Sequence, residues 1–216
     1  IDAAGNVIIA DGSNNCIRKL TNCELGRGLA TPRWHVEQPS IASDMLAMLG
    51  CAELADITFD VAGTRITAHR AILVTRSAYF RAMLMSTCRE AQPGAIVKVG
   101  ETTPAAFRQL LAFLYSDTLE LDDEVVIDVM CKAREYGLTR AYNMCMRHCI
   151  SRVQSWNAVA WLLRADAMEL EELREEMLQY VGRHFRALRA EAPETLADLR
   201  ASPDLMLEVM NVLNVV

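Results

Sequence analysis

From Asp56 the chain alternates polar and apolar positions through Ile57, Thr58, Phe59, Asp60 and Val61, the period of two that a half-buried strand requires. Ala62-Gly63 supplies a turn, and Thr64-Arg65-Ile66-Thr67 returns as a second strand. The period then lengthens: residues 68–74 read as a short helix, and Ser77 is placed to cap another over 78–85, on which Phe80, Met83 and Leu84 share a face. Beyond Pro93-Gly94, residues 95–99 alternate as a third strand. Thr103-Pro104 opens a helix with proline in its first turn and Phe107, Leu110, Leu111, Leu114 and Tyr115 as its stripe. Ahead of the first of these strands, Ser40 or Ser43 caps a short helix from Ile41, ended by Gly50. It carries Met45, Leu46, Met48 and Leu49, an apolar face wide for its length and with no evident partner in its own chain. After Asp122 every segment has helical spacing: 124–136, 139–153, 155–166, 170–185, then shorter stretches near 194–201 and 203–213. Strands early and helices late predict an α+β domain that continues into an all-α segment.

The first residues have a different pattern. Gly5-Asn6, the apolar Val7-Ile8-Ile9-Ala10, the turn-rich Asp11-Gly12-Ser13-Asn14-Asn15 and then Cys16-Ile17-Arg18-Lys19-Leu20 predict a short N-terminal β-hairpin over 1–21. This stretch resembles an NHL repeat, part of one blade of a β-propeller, which would make it a remnant whose partner blades lie upstream. An unrelated hairpin or tail is the other reading. Gly26, Gly28, Pro32 and Pro39 break any period over 22–40, which reads as a linker. The start at Ile1 and the apolar end at Val216 read as an excerpt of a longer protein.

Charge and cysteine usage narrow the partners. A net charge of −6 opposes a phosphate-binding surface, so nucleic acid is not expected. Nor is a membrane, because no apolar run approaches the roughly 18–20 residues of a bilayer span. Seven cysteines, an odd number scattered through apolar periodic stretches, suit reduced thiols and a place in the cytoplasm or nucleus.

The order Asp56-Ile57-Thr58-Phe59, Gly63, Ala68-His69-Arg70-Ala71-Ile72-Leu73, Ser77-Ala78-Tyr79-Phe80-Arg81-Ala82-Met83, Phe107, Leu111, Leu114-Tyr115 and Ala133 closely resembles the BTB/POZ family over 41–153. Asn157-Ala158-Val159-Ala160-Trp161-Leu162-Leu163, with Leu170-Glu171-Glu172-Leu173 after it, is similar to the BACK helices that trail many such domains, here 154–216; a generic helical hairpin is the alternative. The resemblance implies a small sheet with a helical cluster, and a homodimer formed through the helix before the first strand. Burying Met45, Leu46 and Leu49 across a two-fold axis would contribute about 1.5–3 kcal/mol for each fully buried side chain before association costs. It also implies recruitment of the cullin-3 scaffold of a ubiquitin ligase through an apolar residue, any residue, then Glu. Cys88-Arg89-Glu90 occupies that place, with Cys88 smaller than the usual Met or Phe. Asp56 and Arg70 are expected near the dimer centre, in a partner groove, where a charge pair is costly unless matched.

Other chemistry is weighed against packing. Cys145, His148 and Cys149 fall on one helical face, but no fourth ligand at finger-like spacing accompanies them, and they are expected to pack rather than to hold zinc. His69 begins a helix after a strand, where a ring nitrogen bonding to backbone would fix the turn. No motif has catalytic spacing, so neither an enzyme nor a cofactor is expected. The reading is a dimeric adaptor between a cullin-3 ubiquitin ligase and substrate proteins; a dimerisation scaffold without ligase role is the alternative.

Overall fold

The computed structural model describes residues 7–11, 16–20, 40–87, 92 and 94–215, with the backbone alone for 7–11, 16–20, 201, 214 and 215. The chain divides into two compact units, Ile1–Pro39 and Ser40–Val216. In the first, β1 (Val7–Asp11) pairs antiparallel with β2 (Cys16–Leu20), from Val7 opposite Leu20 to Asp11 opposite Cys16. The expected linker, 22–39, lies outside the described residues.

The second unit opens with α1 (Ile41–Leu49), whose N-cap is Ser40: its hydroxyl accepts the Ser43 N–H at 3.1 Å. A three-stranded sheet follows in the order β4-β3-β5, built from β3 (Ile57–Val61), β4 (Thr64–Ala68) and β5 (Ile96–Val99). β3 and β4 are antiparallel with Val61 opposite Thr64, so the loop is the pair Ala62-Gly63. Both residues take positive φ, +49° and +83°, the backbone a two-residue hairpin needs and one that glycine adopts without strain. The Asp60 carboxylate accepts the Gly63 N–H at 3.0 Å and closes the turn. β5 joins the other edge of β3 in parallel, which the crossover through α2 (Arg70–Arg76) and α3 (Ala78–Leu84) permits.

The helix expected from Ala68 begins two residues later. Ala68 is still paired with Ile57 in the sheet, and the first turn of α2 is satisfied by the Asp56 carboxylate, which accepts the Arg70 N–H at 2.6 Å. Ser77 caps α3 by accepting the Phe80 N–H, and Thr103 caps α4 (Pro104–Ser116) by accepting the Ala106 N–H. On the core face of the sheet, Phe59 meets Phe80 and Phe107 edge-on at ring centroid distances of 5.8 and 5.0 Å.

The remaining chain is helical: α5 (Val126–Glu135), α6 (Thr139–Arg152), α7 (Ala158–Ala167), α8 (Glu171–Arg183), α9 (Phe185–Glu191), α10 (Pro193–Asp198) and α11 (Pro203–Val215). The single helix expected over 170–185 is interrupted at His184, where α8 ends and α9 begins. α7 packs on α5 and α8 on α6, so the helical extension shares a continuous core with the sheet-bearing part. Polar bonds reinforce that junction: Arg164 reaches Asp128 at 2.5 Å, Arg134 donates to the Met168 and Glu169 carbonyls, and Tyr142 donates to Glu172.

Candidate protein interaction surface

α1 lies against α4 rather than standing free of its own chain, which corrects the expectation that it has no partner there. Met45, Met48 and Leu49 turn toward the core as partly buried side chains. Leu46 does not: it is 40% exposed, and Ile41 at the start of the helix is 84% exposed. Of the residues expected in a dimer contact, then, Leu46 faces outward and the other three are divided between the core and the surface. Beside them a groove runs between α1, β4 and α4, with Leu46, Leu49, Ile66 and Ala112 along its apolar side and Arg65 and Arg108 at its edge.

Asp56 and Arg70 are adjacent through the backbone bond described above. The Arg70 guanidinium also donates to the Leu84 carbonyl at 2.9 Å, tying α2 to the end of α3. Both residues thus fasten the entry to α2, whatever they present to a partner.

His69 departs from expectation in its partner. Its buried ring places Nδ1 2.7 Å from the Tyr115 hydroxyl, not against the backbone, and the same hydroxyl accepts the His69 N–H at 2.8 Å. Burial pushes the Tyr115 phenol up to about 12; the His69 N–H opposes the shift and the Asp56 charge adds to it. Tyr115 is separated from His69 by 46 residues, so periodicity marked it only as a member of the α4 stripe.

At the other end of α3, Tyr79 stacks at a tilt on Tyr136 at 4.6 Å, with Phe80 behind it. Tyr79 and Met85 are both exposed, Met85 to 72%, immediately ahead of the next loop. Cys88 and Glu90, expected in that loop to contact cullin, lie outside the described residues.

Cys145 and Cys149 are fully buried on the inner face of α6, and burial pushes both thiols up to about 12. Protonated thiols are poor metal ligands. His148 turns instead to Asp123, its Nε2 2.9 Å from the carboxylate. Among the described residues no group of three His, Cys, Asp or Glu side chains converges on a metal site, and no helix is long and apolar enough to cross a membrane.

A small sheet under a helical cluster, with apolar side chains exposed on short helices at its margins, defines an α+β interaction module. Residues 46–152 match the family model of the BTB/POZ domain. It is 27% identical over 195 residues to BTB/POZ and MATH domain-containing protein 6 of Arabidopsis thaliana, covering 82% of this chain and 46% of that protein. It is 42% identical over 94 residues to BTB/POZ domain-containing protein 9 of Homo sapiens, covering 42% of this chain and 15% of that protein. The Drosophila melanogaster protein of the same name is 34% identical over 147 residues, covering 66% of this chain and 20% of that protein. The chain spans less than half the length of these relatives. BTB/POZ domains typically mediate homo-oligomerisation and partner binding rather than catalysis.

Proposed function

We propose that this chain is a homodimeric adaptor of the cytoplasm or nucleus that links substrate proteins to a cullin-3 ubiquitin ligase. The observation that carries the reading is α1: a helix seated on α4 by Met45, Met48 and Leu49 while Leu46 and Ile41 remain in solvent. Apolar side chains exposed beside an apolar-lined groove are matched when a second copy supplies the same patch about a two-fold axis. For the cullin contact the support is that Tyr79 and Met85 leave apolar surface exposed at the two ends of α3, shortly before Cys88 and Glu90 in the sequence. In this reading 154–216 is a BACK-like extension, and the N-terminal hairpin is the last piece of an NHL-type propeller that reads substrate. The Arabidopsis relative, whose name joins BTB/POZ to MATH, is a precedent for pairing this domain with a second module.

Calorimetric titration against the cullin-3 N-terminal domain tests the adaptor. Glu90→Ala should weaken binding by roughly 1–3 kcal/mol, the range for a hydrogen-bonded interface charge. Cys88→Met should tighten it by about 1 kcal/mol through added apolar area. Equal affinities for parent and both variants would remove this loop from the contact. A stable dimer with no cullin binding would leave a dimerisation scaffold, the reading that α1 alone supports.

A further inference from the structure

A second surface of different chemistry lies along the outer face of α6. Along the segment from Thr118 to Leu121 the side chains alternate between two grooves. Leu119 and Leu121 face α6, whereas Thr118 and Glu120 line the groove beside α1 on the opposite side. With Met144, the two leucines form the apolar floor of a groove whose wall is Arg140, Arg147 and Arg152.

The charge of this wall is compensated only at Arg140, although the chain carries −6 overall. The neighbouring aspartates are engaged: Asp117 is shared between Arg76 and Arg140, Asp123 holds His148, and Asp122 accepts the N–H groups of Glu124 and Val125 at the start of α5. Among the described residues no carboxylate lines the groove. Arg147 and Arg152 are exposed and form no ion pair among the described residues. Arg140 and Arg147 are seven residues apart, about 10.5 Å along the helix axis at 1.5 Å per residue, with Met144 between them.

We propose that this groove is a docking site for an acidic amphipathic helix of a partner protein. A helix laid along α6 repeats on the same seven-residue spacing. Carboxylates at positions i and i+7 would meet Arg140 and Arg147, and apolar residues at i+3 and i+4 would cover Met144, Leu119 and Leu121. Charge selects the partner and the apolar floor holds it, the division of labour general to protein interfaces. The site is separate from α1, so a dimer would present two copies of it.

Fluorescence anisotropy on the full chain tests this. The probe is a fluorescein-labelled helical peptide with glutamate at i and i+7 and leucine at i+3 and i+4. Saturable binding that weakens with added salt is expected. It should fall at least about tenfold when Arg147→Glu and Arg152→Glu are combined, and less when both become glutamine. Circular dichroism should show all variants equally folded, since the replaced side chains are exposed. Unchanged affinity in the charge-reversed protein would overturn the proposal. So would equal binding of a peptide with the same residues in scrambled order, or of one with lysine for glutamate. Tighter binding of a single-stranded oligonucleotide would assign the arginines to nucleic acid instead.

Discussion

The Tyr115 hydroxyl is a junction between three elements: it accepts the backbone N–H of His69 from the end of β4, faces His69 Nδ1, and is carried by α4. The hydroxyl has one hydrogen and a second lone pair, so it donates to Nδ1 in one imidazole tautomer and accepts from Nδ1–H in the other. Tyr115→Phe strands a buried N–H and should destabilise the fold by about 1–3 kcal/mol in urea unfolding. The buried Cys145 and Cys149 thiols make a second residue-scale case. Each is pushed up from an ordinary 9.0 to about 12, and Tyr115 from 10.0 to about 12. The fold accommodates the neutral forms, so their contribution is intact below about pH 9 and is lost as pH climbs toward 12. Stability should decline across that window, and a flat profile would show these groups to be more hydrated than the structure has them. EDTA should leave the melting temperature unchanged, because the thiols pack rather than ligate; a fall accompanied by stoichiometric zinc would reverse this.

Among elements, α11 sits close on α8. A Cβ built on Gly182 would lie 2.3 Å from Val212 Cγ1 and 2.9 Å from its Cβ, so glycine is needed there for close approach rather than for backbone freedom. Gly182→Ala should therefore cost about 1–3 kcal/mol by overpacking, against the gain of roughly 1 kcal/mol that alanine brings to an exposed helix interior. Val212→Ala in the same chain should recover part of the loss in a double-mutant cycle, and strict additivity would dissociate the two sites. Arg174 secures the same joint by bridging Asp166 on α7 and Glu208 on α11 at 2.6 and 2.7 Å. Neither feature was legible in the sequence, because both depend on which helices meet. What was legible is local. The strands over 56–61 and 64–67 followed from period-two alternation, with the second running one residue further to Ala68, the α3 and α4 caps from Ser77 and Thr103-Pro104, and most helices from spacing. The start of α2 was misplaced because Ala68-His69 is favourable to a helix in isolation but is held by the sheet and by Tyr115. The turn at His184 has no proline or glycine at the break to mark it.

For the whole molecule, the central claim is self-association through α1. The apolar width of that helix was visible in its residues, but its division was not. Only the packing against α4 shows that Met45, Met48 and Leu49 are partly used within the chain and that Leu46 and Ile41 stay in solvent. Leu46 is accordingly the position at which association and folding separate most cleanly, since a charge there faces solvent in the monomer and an apolar surface in the dimer. Light scattering on the eluting protein at micromolar concentration should give twice the 24.1 kDa of one chain for the parent, and a single chain for Leu46→Asp with its circular dichroism unchanged. A monomeric parent, or a variant that keeps the doubled mass, would contradict the account.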